Sequence, residues 1–142
     1  MAHTLNAWQD RAVPDELLHR LYDCLRMAPT SMNCSPARIV FVKTRAAKEK
    51  LDPAMMEGNR AKTMAAPVTA IIGYDTRFFE QLPKLFPPNP EARAMFEGDA
   101  ALAEITAFRN GTLQGAYFGY GDPKGIYPRS PRLEFSEACR IA

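Results

Sequence analysis

The sequence predicts one domain of mixed helix and strand, of the α+β or α/β class. Three observations carry that prediction. Two short apolar runs, residues 38–42 (Arg-Ile-Val-Phe-Val) and 68–73 (Val-Thr-Ala-Ile-Ile-Gly), are rich in β-branched residues and read as buried strands. Apolar residues at helical spacing bracket them, with Leu17, Leu18, Leu21, Leu25 and Met27 before and Leu102, Ile105, Phe108 and Leu113 after. The length, 142 residues, is that of one ordinary domain, enough to bury roughly two-thirds of the surface that the unfolded chain exposes.

The elements follow in order. Pro14-Asp15-Glu16 opens the first helix, since proline is tolerated in a first turn and the two acids suit the positive end of the helix dipole. That helix runs to Pro29, where a turn-rich loop, Pro29-Thr30-Ser31-Met32-Asn33-Cys34-Ser35-Pro36, leads into the first strand. Thr44 is placed to cap a short helix through Leu51. Residues 53–64 read as helix interrupted at Gly58-Asn59, residues 78–85 as a short helix, and Pro87-Pro88-Asn89-Pro90 as a loop. Residues 99–118 form the longest helical candidate. Its small residues permit close packing, and Gly111 and Gly115 stand four apart as in close helix contacts. An irregular, proline-bearing tail covers 119–131, and residues 133–141 read as a short closing helix.

Composition narrows the function. Eighteen Lys and Arg against 16 Asp and Glu leave a net charge of +2, too small a basic excess for a dedicated nucleic-acid binder. Hydrophobic residues are 46% and charged residues 24%, which excludes wholesale disorder. Three widely spaced cysteines, Cys24, Cys34 and Cys139, suit reduced thiols in a cytoplasm better than a disulfide framework. No Cys/His cluster has zinc-ligand spacing, no signal-peptide pattern opens the chain, and no apolar run is long enough to span a membrane.

Two features carry chemistry, each with a plain alternative. Residues 38–62 hold seven cations (Arg38, Lys43, Arg45, Lys48, Lys50, Arg60, Lys62) against three acids. They read either as a solvated face or as a site for an anionic ligand such as a phosphate, although no Walker A or G-x-G-x-x-G loop accompanies them. The loop residues Thr30, Ser31, Asn33 and Ser35 read either as turn and capping chemistry or as a polar cradle for a heterocycle or ribityl chain. Cys34 lies far in sequence from His3 and His19, and its default reading is a structural thiol.

The stretch Ala28-Pro29-Thr30-Ser31-Met32-Asn33-Cys34-Ser35-Pro36-Ala37-Arg38 resembles the flavin-binding loop of the nitroreductase family. The resemblance continues through Gly58-Asn59-Arg60-Ala61-Lys62-Thr63, Ala66-Pro67-Val68-Thr69-Ala70, Thr106-Ala107-Phe108-Arg109-Asn110, Gly119-Tyr120-Gly121-Asp122 and Pro131-Arg132-Leu133. It is strongest with the subgroup of malonic semialdehyde reductases and NADH dehydrogenase/NAD(P)H nitroreductases.

This resemblance implies a single nitroreductase-like α+β domain over 1–142, with helices around a small central sheet. It implies an intertwined homodimer with FMN at the interface, and NADH or NADPH as electron donor. It implies that the flavin carries the chemistry, with no protein catalytic residue and no metal. Cofactor-binding counterparts are His3, Thr4 and Asn6 from the N-terminal motif, where His3 stands in place of the usual arginine. Pro29, Thr30, Ser31, Asn33 and Ser35 match the loop along the flavin, Asn59 and Lys62 the pair at its pyrimidine edge, and Arg129, or less well Arg132, the phosphate arginine. A lysine there suits the negative charge that the ring gains on reduction, and an arginine fork suits a phosphate. The expected substrate is a small electrophile: a nitroaromatic, a quinone or a small aldehyde such as malonic semialdehyde.

One departure stands out. Tyr117-Phe118 runs almost directly into Gly119-Tyr120-Gly121-Asp122, so a family segment on the order of fifty residues, judged against the usual domain size, is absent between about 118 and 119. The competing expectation is a shortened, non-catalytic dimerisation or binding module, or a fragment, without flavin.

Overall fold

A computed structural model describes residues 8–9, 11–113 and 131–142. The expectations for residues 114–130, and the 118/119 boundary, lie outside the described residues.

Helix α1 (Asp15–Leu25) starts after Pro14 with both acids in its first turn, and turns Leu18 and Tyr22 inward. Leu17 and Leu21, from the same apolar series, stay on the outer side. The polar loop carries a 3-10 turn at Ser31–Asn33 and delivers the chain into β1 (Ala37–Val42). Helix α2 (Arg45–Glu49) is capped by the Thr44 hydroxyl, which accepts from the Ala47 amide at 3.2 Å. A 3-10 turn at Asp52–Ala54 and an extended Met55-Met56 step lead into α3 (Glu57–Ala65). The interruption thus falls at the two methionines, and Gly58-Asn59 belong to the first turn of the helix. Strand β2 (Thr69–Tyr74) follows, then α4 (Leu82–Leu85), α5 (Ala94–Glu97), α6 (Ala100–Leu113), α7 (Phe135–Ala138) and β3 (Cys139–Ile141).

The sheet order is β2-β1-β3. β1 pairs antiparallel with β2, Ala37 opposite Tyr74 and Val42 opposite Thr69, and parallel with β3, Ile39 opposite Cys139. The closing segment expected as helix is helical only over four residues. The last three gain ladder bonds on the free edge of β1, extended by the Ala142 amide donating to Phe41 at 2.9 Å and the Lys43 amide donating to Ala142 at 2.8 Å. A continued helix would leave that edge of β1 unpaired.

Two cores flank this frame. Ile39 and Phe41, two apart on one face of β1, pack with Leu18, Tyr22, Leu85, Leu133 and Ala138. Cys34, Phe78, Leu82, Ala92, Phe96, Ala103 and Ala107 form the second. Helix α6, capped by the Asp99 carboxylate at the Leu102 amide (2.9 Å), inserts its small residues there. Its large ones, Leu102, Ile105 and Phe108, remain exposed. Gly111 makes a close approach to β2, where an added Cβ would stand 3.2 Å from that of Tyr74; Gly115 lies outside the described residues.

Strand β2 corrects the sequence reading. The run is a strand, as its β-branched residues require, but it is not buried: Ile72 is 70% exposed and Ile71 41%. It lies at the edge of a three-stranded sheet, where only one side is paired among the described residues. Among those residues no helix is long and apolar enough to cross a membrane.

Alkaline pH tests the packing. Burial pushes the thiols of Cys34 and Cys139 from 9.0 up to about 11 and the Tyr22 hydroxyl from 10.0 up to about 12. The folded chain therefore holds these protons more tightly than the unfolded one, so their contribution is full below pH 9 and is lost as pH rises through 11 and then 12. Urea unfolding at pH 8, 9, 10 and 11 is expected to show a midpoint that declines from pH 9 onward, and a constant midpoint would contradict the burial of these groups.

Candidate cofactor groove

The basic segment resolves into ordinary surface pairs and a remainder. Arg38 pairs with Asp75 at 2.7 Å, Lys43 with Asp15, Arg45 with Glu49 at 2.8 Å and Arg60 with Asp52 at 3.6 Å. Pairs of this kind add little stability when exposed, and they support the solvated-face reading for most of the cluster. Among the described residues, Lys48, Lys50 and Lys62 have no carboxylate partner.

Lys62 lies on a groove. The Met55-Met56 step and α3 stand beside the Thr69 end of β2, and between them opens a cavity of about 620 Å³. Leu51, Ala54, Met55, Met56, Ala70 and Ile71 form its apolar walls, and Asn59, Lys62, Thr63 and Thr69 supply its polar groups. Asn59 and Lys62 are three apart on α3, which places them on one side of the helix. The Thr69 hydroxyl is shielded from solvent and has no hydrogen-bond partner among the described residues. A buried hydroxyl left in that state costs free energy; it lies within the groove wall, out of reach of solvent. This donor set fits a flat heterocycle with carbonyl and ring-nitrogen edges. Thr69, Met55, Met56 and Ile71 were not expected as site residues. They belong to a strand and a linker, and only their placement opposite α3 marks them.

The polar loop stands apart from this groove, since none of its residues is among those lining it. Asn33 is committed to the fold: its side-chain amide donates to the carbonyls of Leu85 and Pro131, each at 2.7 Å. The Thr30 hydroxyl accepts from the Ser35 amide at 3.1 Å, and the Ser31 amide donates to Asn110 Oδ1 at 2.7 Å. Ser35 is buried, whereas Pro29 and Ser31 are exposed. Arg38 donates to the Ser35 carbonyl at 3.0 Å while it pairs with Asp75. These bonds hold three non-glycine residues in the left-handed region: Met32 at φ 51°, Asn33 at 53° and Ser35 at 40°. Strain of that kind persists only where surrounding bonds over-determine the backbone, as these do.

Of the other expected ligands, His3, Thr4, Asn6 and Arg129 lie outside the described residues. Arg132 Nε donates to the Arg26 carbonyl at 3.0 Å, which ties the C-terminal segment to α1. Cys34 is buried with a thiol pushed up to about 11 by that burial, the opposite of a nucleophile's environment. His19 stacks on Phe135, with ring centroids 3.6 Å apart. No group of three or more potential metal ligands occurs among the described residues.

An α+β scaffold with a three-stranded sheet thus carries an apolar groove edged by an amide and by an ammonium without a carboxylate partner among the described residues. Residues 6–107 match the model of the nitroreductase family. The chain is 46% identical to a provisionally named NADH dehydrogenase/NAD(P)H nitroreductase of Cupriavidus pinatubonensis, over 99% of this chain and 93% of that protein. It is 47% identical to one of Burkholderia lata, over 99% and 92%. The chain belongs to the nitroreductase family.

Among solved structures, it is similar to a provisionally named nitroreductase of Exiguobacterium sibiricum in complex with FMN (TM-score 0.69, 15% identity, 79% of this chain and 61% of that one). It is also similar to a nitroreductase family protein of Streptococcus pneumoniae (TM-score 0.61, 19% identity, 79% and 62%). These two share its fold. The chain spans about three-fifths of the length of either. Its alignments with the two relatives run over 183 and 180 positions, so about forty of those positions have no counterpart among its 142 residues.

Thr69→Val tests the groove's unmet hydroxyl. The substitution keeps size and strand preference and is expected to stabilise the ligand-free chain by about 1 kcal/mol in chemical unfolding. A loss of the same size would mean that the hydroxyl has a partner.

Proposed function

We propose that the protein is an FMN-dependent NAD(P)H oxidoreductase that reduces a small electrophile: a nitroaromatic, a quinone or a small aldehyde. The observation that carries this reading is the groove itself, with Asn59, Lys62 and Thr69 placed around apolar walls. Membership of the nitroreductase family and the FMN in the Exiguobacterium sibiricum structure support it.

Bound FMN supplies hydride transfer from the nicotinamide to the electrophile in a ping-pong cycle. The residues of this chain hold and tune it. Asn59 offers both donor and acceptor to the edge of the ring. Lys62 brings a positive charge to where negative charge develops. Met55, Met56 and Ile71 pack on a flat surface and keep water from it, a task to which flexible thioethers adapt. No side chain of the chain is assigned a covalent or acid–base role. Pro29, Thr30, Ser31, Asn33 and Ser35, with His3, Thr4, Asn6 and Arg129, remain proposed contacts along the ribityl chain and phosphate.

The test is direct: saturate the purified protein with FMN, desalt it and record the visible spectrum. Retained flavin bands, and a rise of about tenfold in the FMN dissociation constant for Lys62→Met (about 1.4 kcal/mol), are the expected results. A colourless wild type would remove the proposal.

The same reading proposes a homodimer. Leu102, Ile105 and Phe108 form an exposed apolar face on α6, and Phe108 with Ile105 lines a shallow recess that Tyr74 and Glu104 complete. Phe108→Asp is expected to convert a dimer to monomer in sedimentation, and an unchanged wild-type dimer would place the interface elsewhere.

The edge of β2 that is unpaired among the described residues and the forty positions without counterpart favour a second reading, a shortened binding module without redox chemistry. It predicts a dimer that retains no FMN and does not oxidise NADPH in the presence of menadione.

A further inference from the structure

Lys48 is the one charged residue that the fold buries among the described residues, at 4% exposure. An ammonium taken out of water needs compensation, and no carboxylate provides it. Its Nζ donates to the carbonyl of Ala66 and stands 3.5 Å from that of Met64. Both oxygens belong to the C-terminal end of α3, where the helix dipole favours a cation and where the last carbonyls lack intrahelical partners.

Helix α3 needs this support. It has nine residues, too few to hold a helix alone in water. It ends without a glycine: the capping residue is Ala66, extended at φ −61° and ψ 139°, with Pro67 next, so no left-handed cap closes it. Lys48 supplies the donors from α2, and the Trp8 indole adds a bond of 3.1 Å to the Lys62 carbonyl. Burial lowers the pKa of Lys48, and the nearby Arg45 lowers it further. Asn59 and Lys62 lie within the two turns that precede this capped end, facing the groove.

We propose that Lys48 is a positioning residue for the groove: by capping α3 from outside, it sets where Lys62 and Asn59 stand over β2, and through them how tightly the ring is held. This role rests on the flavin reading of the groove. It differs from the roles of Asn59 and Lys62 in that Lys48 touches no ligand.

A double-mutant cycle with FMN as the probe tests it, using Lys48→Met, Lys48→Arg, Lys62→Met and the Lys48→Met/Lys62→Met pair. Methionine keeps the length of the chain and removes the donors. It is expected to raise the FMN dissociation constant about tenfold and to speed amide exchange at residues 62–66 in the ligand-free protein. Arginine, with charge and donors retained, is expected to stay within about threefold of wild type. In the Lys62→Met background, Lys48→Met is expected to change the constant by clearly less than in the wild type, because Lys62, one of the two groups that it positions, is gone and only Asn59 remains.

A purely structural role would give the same factor in both backgrounds and would overturn the proposal. If Lys48→Met does not fold, Lys48→Gln, which drops the charge and keeps a donor amide, runs the same cycle: a shift that shrinks beside Lys62→Met supports the role, and one that persists unchanged, or is absent in the wild-type background, overturns it. A wild type that binds FMN beside an unshifted Lys48→Met overturns this role alone. A wild type that binds no FMN overturns the flavin reading, and this role with it.

Discussion

Strand β1 is hydrogen-bonded along both edges, and the rest of the molecule is placed from it. Its antiparallel register with β2 fixes Thr69 opposite Val42, and so fixes the end of β2 that borders the groove. Its parallel register with β3 draws the C-terminal segment back across α1, where Tyr22 and Arg26 both donate to the Leu133 carbonyl at 3.0 Å. A slip of one residue would exchange the faces of β1 and turn Ile39 and Phe41 out of their core. The Arg38–Asp75 pair, with the Arg38 bond to the Ser35 carbonyl, pins the loop entering β1 to the end of β2. The same pairing therefore places the strained loop.

The groove draws its character from a contrast in how cations are treated. Most of the basic segment is neutralised by carboxylates at the surface, and Lys48 is spent on backbone carbonyls inside. Lys62 alone of these presents its charge to an apolar slot. An ammonium in that setting interacts more strongly with a developing negative charge than one among solvated neighbours.

The sequence made the helices and both apolar strands legible, because local spacing and strand propensity decide them; the Asn59/Lys62 pair came only from the family resemblance. What it could not reveal depends on partners distant in the chain. Residues 68–73 have the composition of a covered strand, yet among the described residues β2 is an open edge, since cover is a property of neighbours. The closing residues 139–141 carry no strong signal of their own and become strand because β1 offers an edge. Ala103 and Ala107 go inward on α6 while Leu102, Ile105 and Phe108 go outward, which reverses what hydrophobicity alone suggests and fits a surface that meets another. Asn33 shows the same limit from the other side. Its amide is spent on Leu85 and Pro131, so its part in the loop's shape is structural whatever else the loop contacts. Thr69 entered the site only through its position opposite α3.

The central claim is that α3 and the Thr69 end of β2 form the seat of the flavin ring. Amide chemical shifts of the labelled protein, followed through a titration with FMN, test it most directly. The account predicts that the largest changes cluster at Met55, Asn59, Lys62, Thr63 and residues 69–71, with smaller ones in the 29–35 loop. A spectrum unchanged by FMN, or changes centred on the exposed face of α6, would contradict it.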